Sequence, residues 1–332
     1  MVSKLNYIHY FRAVAILFIV AGHSIDIFSW PDQDNLERWL RIFISNGSAL
    51  FVFIAGYLFQ HLIKKFDAKK YYKNKITNVI LPYIIVSTPA IILFVFFMQR
   101  PDMPETFYQQ SIPQQIISFI ITGSHLAPFW FVPMITLFYL IAVPLKILDN
   151  QRKFYLLIPA FMVVSCLIPR GLPYQSFIHF FAIYVLGMFC SHYKDSVNSL
   201  ISKPAALVAT GTAVIAFAAA EFIYMTGTMT WINFLQKCCM SVFFLGLLFR
   251  FNHKLNSALV SKVADYSFGV FFIHSYIISS GKLLYAKMFG VPATFNVLLY
   301  ITCIVLTFAV CLGIVELVKY VLKDKSKYLV GS

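Results

Sequence analysis

Apolar residues gather into ten long runs, at about 7–29, 40–62, 79–98, 126–148, 154–169, 174–191, 205–225, 231–249, 265–288 and 295–321. Polar and charged residues fill the connections between them. Most runs approach the ~20 residues that carry an α-helix across a bilayer, and the run at 154–169 is the shortest. Within each run the apolar positions are continuous, without the period-2 alternation of an outer-membrane barrel strand. The pattern predicts an all-α, polytopic membrane protein of about ten transmembrane helices. The first run is interrupted by Arg12 and resumes after His23, so it reads as a retained span rather than a cleaved leader. The longest outer connection, 99–125, carries Pro101, Pro104 and Pro113, with a short surface helix expected over about 112–121. The longest inner connection, 63–78, is rich in lysine. No internal repeat and no appended soluble domain is visible, so residues 1–332 are expected to form a single transmembrane domain.

Composition supports this reading. The 332 residues would suit two soluble domains by length alone. However, 60% of them are hydrophobic and 12% charged, against roughly 25% charged in soluble chains. Disorder is excluded by the same numbers, because disordered chains are poor in apolar and aromatic residues. The formal charge of +14 is compatible with nucleic acid, membrane surface or anionic substrates, and the position of the charges decides between them. Nineteen of the Lys and Arg residues fall on the side that holds both termini, and only Arg38, Arg41, Arg100 and Arg170 on the other. That bias puts both termini in the cytoplasm, and no nucleic-acid partner is expected. The six cysteines sit inside apolar runs without metal-ligand spacing, so they read as small hydrophobes and no metal is expected.

Ionisable residues at membrane depth are costly, and each is a functional candidate. Arg12 and His23 are 11 residues apart, which is three helical turns plus about 20°, so they share one face with Arg12 about 16 Å nearer the cytoplasm. Asp26 follows His23 by three residues on nearly the same face. A base oriented by a carboxylate is a common way to activate a hydroxyl. Equally, Arg12 could snorkel to head groups while His23 only packs between helices. His274 lies in the middle of its run, and Glu221, Lys237 and Lys282 lie near outer ends; each could line a polar cavity or serve packing alone. Glu316, near the inner end of the last run, has Lys319 as its expected partner. His125 and Trp130 flank the outer start of the fourth run, where a tryptophan is either an interfacial anchor or a platform for a sugar ring. The inner lysines could meet anionic lipid or a nucleotide phosphate, or be ordinary positive-inside charge.

Several segments carry a resemblance to a known family. Arg12 and His23 on the first run are followed by Phe51–Leu58 (F-V-F-I-A-G-Y-L), a basic stretch ending in Leu81-Pro82-Tyr83, His125–Pro133 continuing to Tyr139, and Tyr266–His274. In order and spacing this resembles the acyltransferase family 3 membrane proteins of bacteria, over residues 5 to about 278. The resemblance implies a ten-helix core in the bacterial cytoplasmic (inner) membrane, with no bound cofactor. It implies O-acyl transfer, acetyl in the usual case, from cytoplasmic acyl-CoA as co-substrate to a hydroxyl of a cell-surface polysaccharide or its lipid-linked precursor. By that analogy His23 is the base or acyl-handling residue, with Asp26 beside it, and Arg12 holds the donor. Lys73 and Lys75 are donor-side candidates, and Trp130, His125, Glu221, His274 and Lys282 are acceptor-side candidates. One departure stands out: where the family often has R-x-x-R before L-P-Y, this chain has Lys75-Ile-Thr-Asn78, and Lys lacks the bidentate fork of Arg. Two other classes stay open on the residues alone. A secondary transporter or flippase for a lipid-linked sugar or organic acid would use the same intramembrane charges as a substrate and proton path. A scaffold or sensor subunit would leave His23 without a chemical role.

Overall fold

The computed structural model describes residues 5–32, 34–45, 47–100, 102–224 and 230–331, with Arg152 described by its backbone alone. Lys4 and Pro101 lie outside the described residues.

The chain is helical almost throughout. Helix α1 (Asn6–Ser24) carries Arg12 and His23, and after it comes a two-residue strand β1 (Phe28–Ser29). The second expected run divides into α2 (Asn35–Ile44) and α3 (Ser48–His61). Asp34 starts α2 by accepting from the backbone N–H groups of Leu36 and Glu37, a standard N-cap. Next come α4 (Ala68–Lys75), which continues through a π-helical turn into α5 (Leu81–Ile92), then the short α6 (Glu105–Tyr108) and α7 (Ile112–Thr122). Helix α7 covers the short helix expected over about 112–121. The fourth run forms α8 (Phe131–Leu140) and α9 (Ala142–Asp149), bent by 54° at the break. Pro144 accounts for the bend, since its ring crowds the carbonyl four residues back, on Leu140. The remaining helices are α10 (Ile158–Leu167), α11 (Pro173–His192), α12 (Lys194–Ile201), α13 (Pro204–Tyr224), α14 (Trp231–Arg250), α15 (Ala258–Asp265), α16 (Ser267–Phe289), α17 (Val297–Leu322) and α18 (Lys327–Val330).

All ten expected runs are helical, but length and apolarity qualify seven of them as membrane spans, or eight if the bent α8–α9 pair is one span. The two that fall short have identifiable reasons. The segment Lys153–Leu167 is short. Helix α16 has 23 residues, long enough to cross, but His274, Lys282 and Lys287 lower its hydropathy. All six cysteines are free.

Two close helix pairings position the site. The first is α3 on α11, where Gly56 lies against the Tyr184 backbone and Gly187 against the Phe53 backbone, so a Cβ on either would run into the facing carbonyl. Small residues that let helix backbones approach are the usual device in membranes. The second is α1 beside α16. Arg12 reaches Ser267 at the start of α16, His23 lies by His274, and Lys282 reaches the Asp26 carbonyl. The two helices therefore run side by side in the same direction. Beyond them, β1 pairs in parallel with β2 (Ala293–Thr294), Phe28 opposite Ala293.

Candidate functional site

Two cavities lie at different heights along α1. The inner one has a volume of about 490 Å³ and takes its walls from Arg12, from Ala55 and Phe59 of α3, from Lys70, Tyr71 and Lys75 of α4, and from Tyr139, Tyr184 and Phe268. Arg12 is oriented by Nη2 donating to Ser267 Oγ at 2.9 Å. Lys75 Nζ sits 4.5 Å from the Tyr139 ring centroid and 5.3 Å from that of Tyr71, so its charge is fixed by two aromatic faces. Lys65 and Lys70 add two more cations to the wall. Asp67, the one carboxylate in the wall among the described residues, accepts from the Lys70 backbone N–H as the N-cap of α4. A basic, half-apolar cavity of this kind suits a ligand with phosphates at one end and an uncharged arm at the other.

The outer cavity is smaller, about 190 Å³, and is lined by His23, Asp26, Arg41, Trp130, Arg170 and Phe271 among others. The Arg170 guanidinium stands 4.5 Å over the Trp130 ring, and Trp130 also stacks on Phe180 at 6.1 Å. Burial lowers the pKa of Arg170 to about 10, which still leaves it charged at neutral pH. On the protein side of His23, the His274 ring lies 5.4 Å away between centroids. His274 is fully buried. Its Nδ1 pairs with the Val270 carbonyl at 3.0 Å, and its Nε2 has no partner. A ring whose Nδ1–H donates to a carbonyl keeps a lone pair on Nε2.

The residues singled out from sequence are distributed unevenly over these cavities. Arg12 and Lys75 line the inner cavity, and His23, Asp26 and Trp130 the outer one. His274 packs against His23 and does not line the outer cavity. The Asp26 carboxylate binds Arg41 Nη1 at 2.9 Å, and Arg41 also binds Glu37 at 2.7 Å. The reason is the fold of α2, which returns Arg41 to the end of α1. Lys282 reaches the rim, donating to the Asp26 carbonyl at 2.8 Å. Lys73 is exposed on α4 and faces away from the cavity. His125 is buried among Tyr83, Phe119 and Phe129, with Nδ1 on the Phe119 carbonyl at 3.1 Å. Burial lowers its pKa to about 4, and it lines neither cavity. Glu221 is buried against Asn233, whose Nδ2 donates to it at 3.0 Å, and it touches neither cavity. Nearby, the buried Lys237 donates to the Ile42 and Phe43 carbonyls at 3.0 and 3.2 Å, closing the end of α2. Glu316 pairs with Lys262 instead of Lys319, which lies over the Tyr266 ring.

Arg170, Arg41, Lys65 and Lys70 were not singled out. Arg170 and Arg41 had a signal in their scarcity, being two of only four cations that the sequence pattern assigns to the side away from the termini. Among the described residues no cluster of metal-ligating side chains occurs.

A family model described as an acyltransferase domain matches residues 5–316. No curated protein and no solved structure matches the chain.

Proposed function

The chain belongs to this acyltransferase family, and from that premise we propose that it is a membrane O-acyltransferase carrying acetyl from cytoplasmic acetyl-CoA to a hydroxyl of a cell-surface polysaccharide or its lipid-linked precursor. The observation that carries this reading is the pair of cavities on one helix, with Arg12 in the inner wall and His23 in the outer. All ten helical segments cross the bacterial cytoplasmic membrane in this reading, and both termini are cytoplasmic, as the distribution of Lys and Arg demands. The transporter alternative has no support from the family match.

Donor CoA lies with its phosphates near Lys65, Lys70 and Lys75, where fixed cations favour phosphate. Arg12 holds the arm as it rises along α1. The eleven residues from Arg12 to His23 span about 16 Å of helix, a distance suited to an extended pantetheine arm. The thioester carbonyl then lies beside His23, and the sugar hydroxyl enters the outer cavity past Arg170 and Trp130. His23 takes the hydroxyl proton as the oxygen attacks the carbonyl carbon. The C–O bond forms, the C–S bond breaks, and the proton passes from His23 to the departing sulfur. A route through an acyl-histidine has the same net balance: the His23 nitrogen displaces CoA thiolate, the sugar oxygen then displaces the imidazole, and the hydroxyl proton ends on the thiolate.

The test uses inverted membrane vesicles that carry native glycan, with the cytoplasmic face outward. Acetyl-CoA labelled in the acetyl group is added to wild type and to His23→Ala. Alkali-labile label on extracted glycan is expected in wild type only. Equal labelling in the variant removes His23 from the chemistry, and no labelling in wild type counts against acetyl-CoA as donor.

A further inference from the structure

The wall between the two cavities is one helical turn thick where α16 forms it. Phe268 lines the inner cavity and Phe271 the outer one, with no residue shared between the two linings. Three residues of α-helix rise only about 4.5 Å, and the two rings sit 6.2 Å apart between centroids. Phe271 is buried and fixed on three sides, by Phe131 at 5.6 Å, Phe129 at 6.2 Å and His274 at 6.2 Å. It therefore stands where an acyl group arriving from the inner cavity would first meet the outer cavity, whose wall it shares with His23.

We propose that Phe271 sets the size of the acyl group this protein transfers, by bounding the space beside His23 into which that group must project. This rests on the acyl-transfer reading above and adds the specificity of the same site. Available room supports it. The outer cavity holds about 190 Å³, below the roughly 300–1,000 Å³ of ordinary small-molecule sites, and it must admit an acceptor hydroxyl as well. A ring held by five aromatic neighbours, Phe268 and Phe272 among them, yields little, because tightly packed interiors feel even one added methylene. Acetyl projects one methyl group from the carbonyl, whereas butyryl projects a three-carbon chain into the ring. In a fitted apolar pocket each methylene discriminates by roughly 10–200-fold.

The experiment compares labelled acetyl-CoA with labelled butyryl-CoA in the inverted vesicles, for wild type, Phe271→Ala and Phe268→Ala. Wild type is expected to favour acetyl by about 100-fold or more, and Phe271→Ala to bring the two donors within about 10-fold. Phe268→Ala, one turn inward on the same helix, is expected to change both rates alike. Should Phe271→Ala fail to accumulate in the membrane, Phe271→Leu is expected to shift the ratio in the same direction by at least about 3-fold. An unchanged ratio in the Phe271 variant that accumulates overturns the assignment, as does an equal shift in Phe268→Ala or a wild type that uses both donors equally. Absence of label from both donors in wild type overturns the acyl-transfer reading, and the size assignment with it.

Discussion

Substituting Gly187 by Ala tests the pairing of α3 with α11 on which the inner cavity depends. A Cβ at this position runs into the Phe53 carbonyl, so the helices must part by roughly an ångström before an ordinary carbon–oxygen contact of about 3.3 Å returns. Overpacking of a tight contact costs about 1–3 kcal/mol. Opposing it, Ala gains up to about 1 kcal/mol of helix propensity over Gly. Gly313 on α17 supplies the reference, because a Cβ there would meet nothing within 4 Å. The propensity gain is common to both substitutions, so the difference between Gly187→Ala and Gly313→Ala isolates the clash at about 1–3 kcal/mol. On the scale of soluble domains that is a midpoint on the order of 2–10 °C lower. The assay is thermal unfolding in detergent followed with a thiol-reactive dye, since Cys190, Cys238 and Cys311 are buried and free. Ala55 of α3 and Tyr184 of α11 both line the inner cavity, so Gly187→Ala is also expected to raise the donor KM. Equal midpoints for the two variants would refute the close packing and the cavity wall built on it.

Removing the Arg170 guanidinium with Arg170→Ala takes a charged donor from the outer-cavity wall, so initial rates against acceptor concentration should show an acceptor KM about 10-fold or more higher, as for loss of a charged hydrogen-bond partner. The donor KM should stay as in wild type, and a selective rise in it would assign Arg170 to the wrong cavity. Lys75→Gln should raise the donor KM about 10-fold or more, as expected for loss of a charged hydrogen-bond partner, whereas Lys73→Gln should leave it unchanged. Equal effects in paired donor titrations would contradict the division between these two lysines. Asp26→Asn breaks only a half-exposed pair with Arg41, so melting should shift by less than about 1 kcal/mol. Its transfer rate should fall far less than that of His23→Ala, and a comparable fall would restore Asp26 to the chemistry.

The shared face of Arg12 and His23 was legible because both residues lie on one helix, where spacing alone sets direction. What was not legible depended on helices meeting across the fold. The i+3 spacing of Asp26 suggested an imidazole partner, but Arg41 claims the carboxylate once α2 folds back. His274 finds His23 only through the alignment of α1 with α16. The separation of Lys73 from Lys75 follows from helical phase, since two residues differ by about 200° around the axis, and a lysine-rich connection shows no face until α4 forms within it. Helix α16 read as an apolar run, but which of its polar residues meet α1 depends on the packing of the two helices, which brings Ser267 to Arg12 and His274 to His23. Pro144 marked the break in the fourth run, yet that run reads as one straight span until the crowding at Leu140 is considered.

The most direct measurement is equilibrium binding of labelled acetyl-CoA to the purified full chain in detergent, for wild type, Arg12→Ala and His23→Ala, with glycan labelling measured in vesicles of the same three proteins. Donor held at the inner end of α1 and reacting at the outer end predicts that His23→Ala binds with wild-type Kd and transfers nothing. Arg12→Ala should bind at least about 10-fold more weakly, the loss expected for a charged hydrogen bond. If His23→Ala loses binding as severely as Arg12→Ala, or if it still transfers acetyl, binding and chemistry are not divided between the two ends of α1.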